Sequence, residues 1–272
     1  MYAFLIDTSV KVAKKQELIK KIRQAAAKQS VFGANFALAD ETRAGQEIAS
    51  FIKQVKKDYQ TIVVVGDDWT LESVINEIHS QQAEITLGFI PLIKTSHYAE
   101  LLKLGNWKQA IKILPQRRTI SLNLCSINNE LFLDQAKLRV VNTSSDLLPH
   151  LKFQFDDKLT TKASTVWGIR VINNNLWRTE TLDQYQRNLL IEGYGGDQTG
   201  KIMGTKLLKR LNTPLKPQLS DQLINIHADK LEVTIRNGHF QYQGQELSVN
   251  KILIGESYPK LNFIVPKKTL QG

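Results

Sequence analysis

Residues 61–78, TIVVVGDDWTLESVINEI, carry the side chains best suited to chemistry in this sequence. An apolar run ends at Gly66, an acidic turn follows, and apolar residues then recur at helical spacing. A strand, a tight turn and a helix are therefore predicted. The first amides of a helix lack intrahelical partners and lie at the positive end of the helix dipole, so the turn is a candidate phosphate site.

A purely structural interpretation of this turn stays open. An aspartate at such a position often only caps the helix, and Thr70 is also a suitable N-cap. Gly66 is the only glycine in the turn, and Trp69 either fills the space of a phosphate or packs on the edge of the sheet. Three carboxylates near the helix start, those of Asp67, Asp68 and Glu72, would compete with a triphosphate unless Mg²⁺ bridged them.

Other kinds of catalytic site find little support in the sequence. The five histidines, at positions 79, 97, 150, 227 and 239, lack metal-ligand spacing, and no serine lies in a Gly-x-Ser-x-Gly elbow. The single cysteine, Cys125, excludes an internal disulfide and a thiolate metal cluster. A reducing compartment, the cytoplasm, is therefore expected.

The net charge of +10, from 36 basic and 26 acidic residues, favours anionic partners such as a membrane surface or nucleotide phosphates. No nucleic-acid motif accompanies the charge, so no nucleic-acid partner is expected. Lys14, Lys15, Lys20 and Lys21 are interpreted as a solvated helix face. The apolar run at 2–6 is too short for a signal peptide or a transmembrane segment and is predicted to be the first strand.

The elements that must position these residues change in type near residue 120. Up to that point short apolar runs alternate with amphipathic helical patterns, which is typical of a parallel sheet covered by helices. The later part reads as an antiparallel sandwich or barrel, with one predicted helix at 200–211. Strands are predicted at 2–6, 32–38, 62–65, 85–91, 121–125, 151–155, 166–172, 231–235 and 252–254, and further helices at 18–26, 44–55, 98–104 and 107–114.

Several segments resemble the motifs of the diacylglycerol and sphingosine kinase family of lipid kinases. The family's turn Gly-Gly-Asp-Gly-Thr-Leu corresponds to residues 66–71, where Gly66, Asp68 and Thr70 match. Its motif Pro-Leu-Gly-Thr-Gly-Asn-Asp-Phe-Ala corresponds to PLIKTSHYA at 91–99. FQYQGQELSVNKILI and LNFIVPKK extend the resemblance to nearly the whole chain.

The resemblance implies an α/β plus all-β protein. Residues 1–120 would form a nucleotide-binding parallel-sheet domain, Rossmann-like and of phosphofructokinase type, and residues 121–272 an antiparallel β-sandwich domain for the lipid. Whether the last strand packs back on the first domain is left open. ATP and Mg²⁺ are the implied cofactors. The implied substrate is a diacylglycerol-like or sphingoid lipid at an anionic membrane surface, with the protein cytoplasmic or peripheral to the membrane.

The same resemblance supplies the candidate site residues. Those expected around the nucleotide are Thr42, Gly66, Asp68, Thr70 and Thr95. Asp183 follows Leu182 as in the family's Leu-Asp-Asp-Gly motif, which holds a structural Mg²⁺.

The family's general base, the Glu of an Asp-Gly-Glu motif, corresponds here to Gln245, which cannot take a proton. Glu246, one position later, is the candidate base. A one-residue step along a strand turns its side chain to the opposite face, unless a bulge near Gly244 absorbs the step.

Departures from the family pattern leave three hypotheses. The early Asn-Pro-x-Ser-Gly loop is replaced by DTSV at 7–10, and the second motif has Ile93 and Thr95 in place of its glycines. An active lipid kinase is the first hypothesis. The second is a catalytically degenerate relative that binds a lipid, a nucleotide or a protein partner. The third is a relative of the NAD kinases, which share the glycine-rich turn.

Overall fold

The computed structural model describes residues 2–38, 44–142, 150–156, 159–163, 166–173, 189–195, 222–236, 238–242, 245–247 and 249–267. The chain divides into two compact units, the first formed by residues 1–122 with 259–272 and the second by residues 123–258. In chain order the elements are β1 (Tyr2–Asp7), α1 (Lys15–Lys28), β2 (Gly33–Leu38), α2 (Ala44–Val55), β3 (Thr61–Gly66), α3 (Asp68–Ser80), β4 (Thr86–Pro91), α4 (His97–Leu101), α5 (Trp107–Ile113), a 3-10 turn (Leu114–Gln116), β5 (Thr119–Ile127), β6 (Glu130–Phe132), β7 (Gln135–Asn142), β8 (His150–Phe155), β9 (Leu159–Ala163), β10 (Val166–Asn173), β11 (Leu189–Gly195), β12 (Gln222–Ala228), β13 (Lys230–Arg236), β14 (Gly238–Tyr242), β15 (Gln245–Leu247) and β16 (Lys251–Ile264).

The first unit is built on parallel strands in the order β2-β1-β3-β4, and the end of β16 continues the parallel pairing through Asn262 and Phe263 opposite β4. All six residues of β1 and five of the six in β3 are buried, as expected for strands covered on both faces. α1 packs beside α5, and α2 packs beside α3. The predicted parallel sheet covered by helices is confirmed.

The strand order places a switch point between β1 and β3. From β1 the chain moves to β2 on one side, then crosses back to β3 and β4 on the other. Because such crossovers are right-handed, α1 lies on one face of the sheet and the α2/α3 pair on the other. The loops after β1 and β3 therefore diverge at the carboxyl edge of the sheet, where open α/β folds bind their ligands.

The second unit contains two antiparallel layers. One sheet has the strand order β12-β11-β10-β7-β14-β15, and the other layer includes β9, β8, β13 and the start of β16 in that order. Apolar residues from both layers form one core, whose largest fully buried members are Phe132, Phe153 and Phe240. This arrangement confirms the predicted antiparallel β-sandwich.

Two predicted helices differ from the structure or lie outside it. The helix expected at 98–104 is α4, which spans only His97–Leu101. Lys103 and Gly105 adopt left-handed φ values of 55° and 69°, a conformation that ends a right-handed helix. The helix predicted at 200–211 lies outside the described residues. Among the helices that the structure describes, none is long and apolar enough to cross a membrane.

Candidate functional site

Asp7, the last residue of β1, lies at the switch point and is 1% exposed. One carboxylate oxygen, Oδ1, accepts hydrogen bonds from the amide of Ser9 at 2.7 Å and from its hydroxyl at 2.6 Å. The other, Oδ2, accepts from the hydroxyl of Thr70 at 2.5 Å. A buried carboxylate is thus satisfied by its own loop and by the first turn of α3.

Asp67 caps α3, which begins at Asp68. Its carboxylate accepts from the Thr70 amide at 2.9 Å, and the Thr70 hydroxyl lies 2.9 Å from the same oxygen. The expectation that an aspartate caps this helix is confirmed, whereas Thr70 as N-cap is wrong. Thr70 is the third helical residue and completes a capping box with Asp67, because the helix starts three residues earlier than its apolar periodicity indicates.

The Thr70 hydroxyl is the centre of this cluster, which we call the Asp7–Thr70–Asp67 cluster. Thr70 is 0% exposed, and its single proton serves the Asp7 and Asp67 carboxylates one at a time. A nucleotide could contact this hydroxyl only if the cluster rearranged.

Gly66 owes its place to the packing of Thr70. A Cβ atom on Gly66 would lie 2.7 Å from Oγ1 and 2.8 Å from Cβ of Thr70, while its φ is not among the positive values of the chain. Its carbonyl oxygen accepts from the amide of Leu92 at 2.8 Å. The glycine therefore allows the first turn of α3 to lie close to β3.

Asp68 joins the turn before α3 to the turn before α4. Its carboxylate accepts from the hydroxyl of Ser96 at 2.5 Å and from the amide of His97 at 2.7 Å. Ser96, 4% exposed, is itself the N-cap of α4, since its Oγ accepts from the Ala99 amide at 3.0 Å. Thr95, directly before this cap, is exposed.

Asp7 and Ser96 belong to the site, but the sequence alone did not identify either side chain as a site residue. Asp7 is the first polar residue after the buried strand β1, and Ser96 is a cap-forming residue directly before an apolar helix. Each signal is ordinary by itself. Their partners lie 63 and 28 residues away, so the pairing depends on the strand order.

Trp69 and Glu72 complete the first turn of α3. Trp69 exposes 39% of its surface and so lies outside the core. The hydroxyl of Tyr98 in α4 donates to a Glu72 carboxylate oxygen. With the aspartates, Glu72 makes this edge of the sheet rich in carboxylates.

Glu246 lies in the second unit, on the solvent side of the β14–β15 hairpin. It pairs with Gln241, and its side chain is 61% exposed with a carboxylate oxygen 3.6 Å from Nδ1 of His239. The next residue, Leu247, packs against the core. Thr42, Asp183 and Gly244 lie outside the described residues.

The residues present at the switch point do not fit an ATP triphosphate. The third amide of α3 is already bonded to Asp67, and buried Asp7 adds a second carboxylate that bonds the same threonine, Thr70. For Mg²⁺, no group of three or more His, Cys, Asp or Glu is placed to share an ion within the described parts of the chain. The Lys15 ammonium donates to the carbonyl oxygen of Thr8 in the loop after β1.

Residues 3–127 match the model of the diacylglycerol kinase catalytic domain. A diacylglycerol kinase of Staphylococcus haemolyticus is 27% identical over 95 residues, which are 35% of this chain and 29% of that protein. The chain therefore matches less than a third of the length of this relative.

The fold has counterparts among solved structures. The crystal structure of a diacylglycerol kinase from Bacillus anthracis superposes with a TM-score of 0.69 at 12% identity, covering 98% of this chain and 97% of the other. Two further structures from the same organism superpose with TM-scores of 0.70 and 0.71 at 13% identity, covering 98% of both chains. This likeness concerns the two-domain fold alone. The likeness in sequence is that of residues 3–127, which resemble the diacylglycerol kinase catalytic domain.

Proposed function

We propose that this chain is a member of the lipid kinase family in which phosphate transfer from ATP to a lipid hydroxyl is weak or lost, and which acts by binding a lipid-bearing membrane surface. The observation that carries the proposal is the Asp7–Thr70–Asp67 cluster. It fills the carboxyl edge of the sheet, between β1 and β3, with a closed set of hydrogen bonds.

The cluster opposes a triphosphate in two ways. Its carboxylates repel an anion at a position from which solvent is largely excluded, where charges interact more strongly than in water. It also uses the Thr70 amide and hydroxyl, which a phosphate would otherwise bind. An incoming phosphate must therefore break existing bonds before it makes its own.

Gly66, Asp68, Thr70 and Thr95 remain our proposal for the residues nearest a nucleotide if one binds. They lie on the two adjacent turns that Asp68 joins. From the family resemblance we also propose Thr42 as a nucleotide-binding residue and Asp183 as a Mg²⁺ ligand. ATP and Mg²⁺ remain the proposed cofactors of any residual activity.

The position of Glu246 also favours weak or lost transfer. A general base must lie within hydrogen-bond reach of the hydroxyl it activates. Glu246 is 61% exposed and shares the solvent side of its hairpin with Gln241 and His239. We propose that it is not a base in phosphate transfer.

The test compares the wild type with the double variant Asp67→Gly/Trp69→Gly, which restores two glycines of the family's turn. Labelled ATP, Mg²⁺ and mixed vesicles containing diacylglycerol and a sphingoid base are the substrates. We expect no labelled lipid from the wild type and no thermal stabilisation by millimolar Mg-ATP, whereas ligand at a hundred times its Kd would stabilise the fold by about 2.7 kcal/mol.

Tighter Mg-ATP binding by the double variant would support the cluster as the obstacle. Labelled lipid formed by the wild type at rates typical of kinases, about 1–100 s⁻¹, would refute the proposal.

A further inference from the structure

The helices of the first unit differ sharply in charge. α1 carries five basic residues and one acidic, and α5 carries two basic and none acidic, which gives seven against one. α2 carries one of each sign and α3 carries three acidic residues and no Lys or Arg, which gives one against four. The excess positive charge is thus confined to two of these four helices.

The two kinds of helix lie on opposite faces of one sheet. α1 packs beside α5, α2 packs beside α3, and the strand order assigns α1 and the α2/α3 pair to different faces. The first unit therefore has a basic side and an acidic side. Exposure to solvent does not by itself require an excess of lysine, because α2 carries one residue of each charge.

We propose that the basic side, which we call the α1/α5 face, is the surface through which the protein docks on an anionic lipid bilayer. It is defined by Lys20, Lys21, Lys28, Lys108 and Lys112. All five are exposed, and only Lys21 forms an ion pair, at 2.6 Å from Glu17, among the contacts described for these five. The acidic side would be repelled by the same bilayer, so the charge also sets the orientation of docking.

An open groove beside α5 favours a bilayer over nucleic acid. It has a volume of about 520 Å³, and its lining includes the apolar residues Leu104, Ile113 and Pro266 together with Lys103, Lys112 and one acidic residue, Glu100. Apolar surface bordered by lysines matches the boundary between acyl chains and acidic headgroups. Half-buried Trp107 opens α5 with its ring 5.6 Å from the Lys108 ammonium, a pairing suited to the membrane interface.

This inference takes from the proposed function only that the ligand is a membrane lipid surface, and it needs no catalysis. The test therefore measures binding without nucleotide, by co-sedimentation with phosphatidylcholine vesicles that contain or lack phosphatidylglycerol. Each basic residue near a charged bilayer contributes a factor of about five in partitioning, so Lys20→Gln/Lys28→Gln/Lys112→Gln should weaken binding on the order of 100-fold.

The matched control removes the same charge from the other side. Lys53, Lys56 and Lys57 are exposed residues of α2 and the turn after it. Their triple Gln variant should weaken binding by less than about threefold, the residual effect of net charge. If the triple variant does not fold, the single variants Lys20→Gln and Lys112→Gln replace it. Each is expected to bind anionic vesicles about fivefold more weakly than the wild type.

A loss of binding confined to the α1/α5 variant, together with wild-type binding that weakens in salt and on neutral vesicles, supports the inference. Equal losses in both triple variants, equal binding to neutral vesicles, or no vesicle binding would overturn it. Tighter binding to duplex RNA than to anionic vesicles would also overturn it, because the partner of the α1/α5 face would then be nucleic acid. A protein that binds vesicles and also phosphorylates lipid at rates typical of kinases, about 1–100 s⁻¹, would refute the proposed function and leave this inference intact.

Discussion

Replacing Thr70 by valine tests whether the Asp7–Thr70–Asp67 cluster stabilises the first unit. Valine keeps the shape of threonine, so the fully buried position gains no cavity, but Asp7 loses the donor at 2.5 Å while it stays 1% exposed. A hydrogen bond to a charged group contributes about 1.5–3 kcal/mol, so we expect Thr70→Val to lower the free energy of unfolding by about 2–3 kcal/mol.

Thr70→Ser is the matched control, because it keeps the hydroxyl and removes only a methyl group. Its expected cost is about 1 kcal/mol, close to the transfer free energy of one buried methyl. Urea unfolding, followed by circular dichroism, measures both variants against the wild type. The order of stability should be wild type, then serine, then valine.

A double-mutant cycle with Asp7→Asn separates the contact from other effects. The neutral amide oxygen is less costly to leave without a donor, so the loss caused by Thr70→Val should shrink by about 1 kcal/mol when Asp7→Asn is also present. The reasoning is refuted if Thr70→Val costs less than about 0.5 kcal/mol or if serine costs as much as valine.

Three further predictions concern Gly66, the Asp68–Ser96 contact and Glu246. Gly66→Ala should destabilise the first unit by about 1–3 kcal/mol in thermal or urea unfolding, because its Cβ would lie 2.7 Å from Thr70 Oγ1, and an unchanged midpoint would contradict this. Ser96→Ala should lower the free energy of unfolding by about 1–2 kcal/mol. The double variant with Asp68→Asn should lose less than the sum of the two single losses, because Ser96 and Asp68 share one hydrogen bond. Strict additivity would show that this contact is weak. Glu246→Gln should change the unfolding midpoint and any lipid phosphorylation by little, because the side chain is 61% exposed, and loss of a measured activity in a folded variant would identify Glu246 as the base.

The elements of the first unit follow from local patterns. β1 and β3 are predicted from apolar runs, and α1 to α3 from apolar residues at helical spacing. The end of α4 was less predictable, because Leu104 continues the apolar pattern after the backbone has left the helix at Lys103. Periodicity identifies the buried side of a helix better than its last residue.

The candidate site depends on contacts that no local pattern specifies. An Asp-x-x-Thr spacing permits the capping box, but it does not tell which residue begins the helix. The contact between Asp7 and Thr70 forms only because β1 and β3 are neighbours, with β2 placed on the far side of β1. Sequence reasoning therefore found the turn and its family likeness, while the closure of the turn required the strand order.

The pairing of β16 with β4 has a consequence for how the protein is made. Phe263, fully buried, lies opposite Leu87, so this contact joins residues 176 positions apart. At about 5–20 residues per second, a ribosome needs roughly 10–35 s to make the intervening chain. During that interval the edge of β4 lacks its final partner, and an exposed edge strand invites pairing with other chains. Nascent chains of this protein should therefore depend on chaperones until the C-terminal strand emerges.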